Sequence, residues 1–500
     1  MRKIIAITCL FLLINAKKIF SQPRTSKPRT IVTTDGEVDD QDSFIRLLLY
    51  SNEFHIEGLV YTSSQWHYKG DGKGTKFISE MPLTKGMYGE RTELRWVGTE
   101  WMPPLIDKYA KVYGNLLKHG KNFPTPQYLK SIIRVGNIDF EGEMDHDTKG
   151  SDFIKNILLD DKPGPVYLQM WGGTNTVARA LKSIEEKYKG TSQWEKIHRK
   201  VSQKAVLYII LDQDACYKKY VAPNWPDIKV IYNTSQFWSF AYFWPRVVPA
   251  ELQTELKGKW MAEHIKFDHG PLLSSYFLWG DGQKIPGDPE HTQGDEAEAK
   301  KHGFDKYDFL SEGDSPSFFY LIDVGLGNLQ DASFGGWGGR LKRSATKPNL
   351  WEDGKDVTDN NPFSQKEDLS YPQTRWLEAL QNDFAARADW CVKNYSESNH
   401  PPLVKLNHAA NLHAVAGAKV TLSASAKDPD GNALTYRWWQ YAEAGSYPSQ
   451  VSILNSETKN ASFAVPADAK PGNAIHIILE VKDSGLPQLT RYQRVIVTVK

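Results

Sequence analysis

Two periodicities divide the chain. From residue 28 to residue 395 short apolar runs alternate with segments whose apolar positions recur at helical spacing, and from residue 403 the period becomes two. Ile31–Thr34, Ile56–Thr62, Pro165–Met170, Ala205–Ile210 and Ile228–Tyr232 read as strands. The last of these also suits a sheet edge, with Pro226 ahead of it and Asn233 behind. Ser43–Tyr50, Trp101–Leu117, Tyr128–Arg134, Ser151–Leu159, Thr176–Tyr188, Glu251–Lys266, Ser317–Val324 and Pro372–Tyr395 read as helices. This alternation predicts an α/β fold, a mostly parallel sheet covered by helices on both faces. Lys69–Lys76 and Gly280–Lys306 are polar and read as surface insertions.

Ser396–Pro402 is a linker by composition. Beyond it Leu434, Tyr436 and Trp438 alternate with Thr435, Arg437 and Trp439, and Ile475 to Val481 and Val495 to Val499 keep the same period. Turns at Asp428–Asn432 and Pro471–Asn473 separate these runs, which predicts a small β-sandwich over 403–500. Asp428 and Asp430 fit turn chemistry better than a Ca²⁺ site. With no carboxylate cluster outside its turns, the sandwich reads as an accessory module that folds alone, with Trp439 and Tyr441 facing outward opposite Trp438.

Five hundred residues, 40% hydrophobic and 24% charged, suit a folded protein of two domains. Met1-Arg-Lys followed by the apolar run Ile4–Ala16 reads as a secretory signal over residues 1–22, which predicts a secreted or periplasmic protein. That run is too short to cross a bilayer, and no later stretch is long and apolar enough, so no membrane span is expected. Losing the four basic residues of the signal moves the formal charge from +1 to −3, and nothing there suggests nucleic acid. Cys216 and Cys391 remain, enough for one disulfide but not for a disulfide framework.

Candidate chemistry begins where the first strand stops. Asp35, Asp39 and Asp40 crowd the strand-to-helix turn, which in an open α/β sheet lies on the ligand-binding edge. A helix cap accounts for one acid; three carboxylates suit a hard cation such as Ca²⁺, which takes oxygen ligands in irregular geometry. Later strand ends reach the same edge, bringing Trp66, Trp171-Gly172-Gly173-Thr174-Asn175 and Leu211-Asp212-Gln213-Asp214. Glu143 lies in a second acidic loop, read equally as capping and as substrate contact. Asp314 precedes a late helix, and Phe334–Arg340, with four glycines around Trp337, needs a special backbone.

The first acidic stretch resembles the nucleoside hydrolase signature Asp-x-Asp-Pro-Gly-x-Asp-Asp, with Asp35, Asp39 and Asp40 matching and Thr33, Gly36 and Glu37 departing from it. Gly172–Asn175 is similar to the family's Gly-Gly-x-Thr-Asn turn, and the resemblance implies that the Trp171 carbonyl joins Asp35, Asp40 and Asp314 around Ca²⁺. Gly313 stands where that family commonly has a His that protonates the nucleobase. The acidic strand end, Asp212-Gln-Asp214, His269-Gly-Pro and Gly335-Gly-Trp-Gly-Gly-Arg340 together resemble secreted bacterial proteins of a cellulose-binding family, with a nucleoside hydrolase-like domain over 28–395 and an Ig-like β-sandwich over 403–500.

These parts suit water attack on an anomeric carbon. Asp35 would hold the metal and take the proton, Asp39 would bind sugar hydroxyls, and a carboxylic acid or imidazole would protonate the leaving group. Glu312, Glu143 and His269 are candidates for that acid. Trp66, Glu143, Asn175, Asp212, Asp214 and Trp337 complete the expected substrate contacts. The expected partner is a carbohydrate such as plant-wall polysaccharide, or an unusual riboside. A calcium-stabilised carbohydrate-binding protein without catalysis, using Trp66, Trp171 and Trp337 as platforms, fits the same residues.

Overall fold

A computed structural model describes residues 27–500. The expected signal segment 1–22 lies outside the described residues. The large sheet has eight strands, in the spatial order Ile133–Val135, His55–Tyr61, Arg29–Thr34, Val166–Met170, Ala205–Ile210, Lys229–Asn233, Leu350–Glu352 and Lys342–Arg343. All neighbours pair in parallel except the last two. Strand β1 (Arg29–Thr34) is buried along its whole length, as a central strand must be when helices cover both faces. Alternation splits its core: Ile31, Val60, Leu168 and Leu207 pack in one cluster, and Val32, Leu59, Tyr167 and Tyr208 in another. The strand order reverses between β1 and Val166–Met170, and the crevice outside their carboxyl ends is where such sheets bind ligands.

Several elements differ from the sequence reading. Lys229–Asn233 is internal, because Leu350–Glu352 returns from far along the chain to cover it. Tyr128–Arg134 divides into the helix Pro126–Ser131 and the strand Ile133–Val135. Glu251–Lys266 breaks into two 3-10 turns before Gly258–Met261 and a π turn. The break has a local cause: a Cβ at Gly258 would stand 2.1 Å from the Lys306 carbonyl, so backbone meets backbone there. The late helices are Ser315–Phe319, Tyr371–Thr374 and Leu377–Trp390, and Trp194–Lys204 is a further helix. Among the described residues Cys216 and Cys391 are free and buried, and no helix is long and apolar enough to cross a membrane.

Residues 403–499 form two facing sheets. One holds Leu403–Leu406, Lys419–Lys427 and Asn460–Ala464; the other holds Asn411–Ala414, Thr490–Val499, Ala474–Asp483 and Leu434–Gln440. Trp438, Leu422, Phe463, Ile477 and Val495 fill the space between them. The outer face of the four-stranded sheet is not free. Tyr441, Ile478 and Tyr492 belong to the core of the α/β domain, Trp439 packs against it, and the Trp376 ring lies 5.3 Å from Tyr492 and 6.0 Å from Trp439. Trp439 and Tyr441 therefore face the larger domain, not solvent. The linker is fixed as well: Asn399 Nδ2 donates to Asp483 at 3.0 Å, and the His400 amide donates to Asp430 at 2.7 Å.

This interface contains His476, 3% exposed, whose Nδ1 accepts from Arg494 Nη1 at 3.0 Å. Burial, then the Arg494 charge, lower its pKa to about 3 from an ordinary 6.5. The unfolded chain binds a proton here at a pH where the folded chain does not. The corresponding stability is therefore fully present above pH 6.5 and is lost as pH falls toward the folded value. His476→Gln is expected to reduce the drop in melting temperature between about pH 7 and about pH 4.5, read by circular dichroism. An unchanged drop would place the acid sensitivity elsewhere.

Candidate metal centre

The centre is built where β1 leaves the sheet. Gly36, at φ +85°, makes the turn, and a Cβ there would meet Val97 at 2.5 Å and the Trp101 indole nitrogen at 2.6 Å. Helix α1 (Val38–Leu49) begins at once, so Asp39 and Asp40 occupy its first turn, where the helix dipole favours negative charge. Asp314 precedes the helix Ser315–Phe319 in the same crevice. One carboxylate oxygen each from Asp39, Asp40 and Asp314 lie within 4.8 Å of one another. Asp35, Asp40 and Asp314 are only 2%, 1% and 3% exposed. Bare backbone makes room for them: a Cβ at Gly172 would stand 2.9 Å from Asp35, and one at Gly313 would stand 2.8 Å from Asp39 Oδ2. Gly313 thus borders Asp39 directly.

Burial, followed by repulsion from neighbouring carboxylates that include Asp35 and Glu37, pushes Asp39, Asp40 and Asp314 well above the ordinary carboxylate range. Two ionised carboxylates at such a separation repel by about 3 kcal/mol at an effective dielectric of about 20. Three such pairs approach the whole stability of a domain, so the group must hold protons or a cation. Thr34 Oγ1 donates to Asp40, and the Tyr242 hydroxyl donates to Glu37 at 3.1 Å and Asp39 at 3.3 Å. A counter-charge sits behind Asp35. His67, fully buried, places Nδ1 3.6 Å from Asp35 Oδ2 and Nε2 3.7 Å from Asp288. Burial alone would lower the His67 pKa, but the two carboxylates outweigh it and raise it to about 9. Asp35 is held below the carboxylate range in turn: burial opposes this, and His67 prevails. Arg95 clamps Asp288 through two hydrogen bonds of 3.0 and 2.8 Å and lies 3.9 Å from Glu37. An all-oxygen donor set with unbalanced charge, beside an Asp35 Oδ2 that is ion-paired with His67 but accepts no hydrogen bond, fits a hard divalent cation.

The other expected site residues have different surroundings. The Trp171 carbonyl accepts from Gln213 Nε2 at 2.7 Å, and its ring is 1% exposed with Nε1 donating to Ser317, so it is core and not a platform. Trp337, 1% exposed, lies under Arg491 at the domain interface. Trp66 alone of these three rings is part-exposed, edge-on to Tyr88 at 6.5 Å. Asp212 accepts from the Tyr217 and Lys218 amides, and Asp214 from Asn175 and Cys216, so both hold backbone. Asn175 is spent on Thr62, Ser63 and Asn137. Glu143 accepts from Asn137 and the Asp145 amide and closes its own loop.

Each of the three candidate acids is already engaged by other groups. Glu312 is fully buried among Arg46, Tyr276 and Ser315, which anchors the loop carrying Asp314. His269 pairs with Asp389 at 3.2 Å, eight residues along helix Leu377–Trp390 from Gln381, the partner of Arg46. That is about 12 Å of helix. Sequence reasoning missed His67, Arg95, Tyr242 and Asp288. His67 stands beside the chosen Trp66, and Asp288 is hidden in a polar insertion with no period to mark it.

Residues 29–341 match the family model described as cellulose-binding Sde182, nucleoside hydrolase-like domain, and residues 419–499 match that of cellulose-binding protein Sde0182, C-terminal domain. The fold is similar to that of a nucleoside hydrolase-related hypothetical protein from Saccharophagus degradans associated with carbohydrate metabolism. That likeness covers 95% of this chain and 100% of the other, at 28% identity and TM-score 0.69. A plant nucleoside hydrolase aligns over 72% of this chain and 99% of its own, at 9% identity and TM-score 0.31. No curated protein matches the chain.

Proposed function

Since the chain belongs to the cellulose-binding Sde182 family and carries its nucleoside hydrolase-like domain, we propose that its acidic centre takes Ca²⁺ and hydrolyses a glycosyl bond of an extracellular carbohydrate or riboside. The observation that supports this is the unbalanced group Asp39, Asp40 and Asp314, with Asp35 buried beside it, at the ligand edge of the sheet. Asp40, Asp314 and Asp39 or Asp35 would hold the ion. Bound there, Ca²⁺ supplies charge compensation and makes a coordinated water more acidic.

The chain's own residues supply the base and the binding contacts, and the departing group takes its proton from solvent water. Asp35, kept anionic by His67, accepts the proton of the attacking water, and the Asp288–Arg95 pair fixes the far side of the imidazole. Asp39, the least buried of the four carboxylates, accepts hydrogen bonds from sugar hydroxyls. The residue before Asp314 is Gly313, which offers no proton to a nucleobase, so common purine nucleosides are not the expected substrates.

A second reading, a carbohydrate-binding protein without turnover, draws on the burial of Glu312 and the pairing of His269 with Asp389. A panel of nucleosides and plant-wall oligosaccharides separates the two. Oligosaccharide or glycoside turnover is expected, falling by about 10²- to 10⁴-fold in Asp35→Asn. Rapid inosine or uridine hydrolysis with no oligosaccharide turnover would overturn the substrate assignment, and oligosaccharide binding without turnover would favour the second reading.

A further inference from the structure

Loop 280–298 and Lys306 line a cleft of about 1040 Å³, of whose residues the proposed chemistry uses only Asp288. Its acids are already committed. Asp281 accepts from Lys266 and the Leu278 and Gln283 amides, Asp288 from Arg95, and Asp295 from the first amides of the helix Glu296–Lys301. Glu296 pairs with Lys300 and Lys306, and Glu298 with Lys301.

The uncommitted groups are basic. His291 lines the cleft, is 6% exposed, and has no hydrogen-bond partner on either ring nitrogen among the described residues. Its ring is fixed edge-on to Phe277 at 5.5 Å. Lys284 lines the same cleft, is exposed, and forms no ion pair among the described residues. Leaving a buried imidazole unpaired costs about 1–3 kcal/mol, which a ligand or water recovers. Burial lowers the His291 pKa, so the ring is neutral and offers one N–H donor and one acceptor. A ligand that satisfies both needs an acceptor beside a hydroxyl donor, and Lys284 adds a demand for negative charge. A sugar acid has this combination, whereas sulfate or a phosphomonoester dianion only accepts.

We propose that this cleft is a subsite for the carboxylate of an acidic saccharide, with Lys284 pairing with the uronate and His291 bridging the carboxylate and a neighbouring hydroxyl. The inference rests on the reading that the chain's ligand is a carbohydrate. Asp288 forms part of the cleft wall and also faces His67, so a saccharide held here lies beside the metal centre.

Calorimetric titration of the full chain with digalacturonate, with cellobiose as the neutral control, tests it. Digalacturonate is expected to bind, and Lys284→Ala and His291→Phe are each expected to weaken it about tenfold or more while cellobiose and Ca²⁺ affinities stay unchanged. Lys284 is exposed, so its variant decides the matter if His291→Phe fails to fold. The proposal is overturned if digalacturonate does not bind, if Lys284→Ala leaves its affinity unchanged, or if binding disappears in Asp39→Asn instead. Retained cellobiose binding in any of these cases leaves the carbohydrate reading standing and removes only the subsite.

Discussion

A chain ending at Pro402 is expected to aggregate, or to melt at least 10 °C below the full-length protein, a shift that corresponds to loss of several kcal/mol in a domain this large. The sandwich completes the larger domain. Arg494 donates to the carbonyls of Leu326, Phe334 and Gly335, the Tyr441 hydroxyl donates to Asp359 at 2.6 Å, and Arg491 donates to Asp383 at 2.9 Å. The Tyr492 amide donates to the Val324 carbonyl at 2.9 Å, so backbone bonding crosses the boundary. Truncation would expose Trp376 and Trp337, now 2% and 1% exposed, and leave those carbonyls without partners. Losing a buried aromatic contact costs about 3–5 kcal/mol, against a domain stability of about 5–15 kcal/mol. Circular dichroism melts of residues 27–402 beside the full chain check this. Equal melting temperatures would restore the reading of two independent modules.

The second large effect is expected from Asp314→Asn, which should make the calcium-free protein more stable while abolishing its response to calcium. Asp314 is held above the carboxylate range by burial and then by Asp40, Asp39 and Asp35. A neutral amide removes that repulsion and needs no bound proton to do so. The variant should therefore melt roughly 2–4 °C or more above wild type in chelator. Adding Ca²⁺ to about a hundred times its dissociation constant should raise wild-type stability by about 2.7 kcal/mol and leave the variant unmoved. A variant that is destabilised in chelator would mean that the cluster already has its charge balanced by other groups.

Local pattern made much of this architecture legible. Ala205–Ile210 is a strand over the range its apolar run suggests, and β1 ends at Thr34, immediately before the acid that opens the centre. Asp40 and Asp314 were visible as acids at a strand end and a helix start, and both reach the cluster. Partners supplied by distant segments were not legible. Lys229–Asn233 looked like an edge because the strand that covers it lies more than a hundred residues away. Trp439 and Tyr441 looked like exposed rings because a sheet face packed on another domain has the same period of two as a solvated face. Glu312 looked like an acid, and only the burial of Arg46 on α1 shows that its charge is already matched.

The central claim is that Asp39, Asp40 and Asp314, with Asp35 beside them, hold a divalent cation. Calorimetric titration of Ca²⁺ into the chelator-treated full chain tests it most directly. The account predicts saturable binding of one ion per chain, with affinity lowered about 100-fold or more in Asp40→Ala. Absence of binding, or binding that Asp40→Ala leaves unchanged, would contradict it.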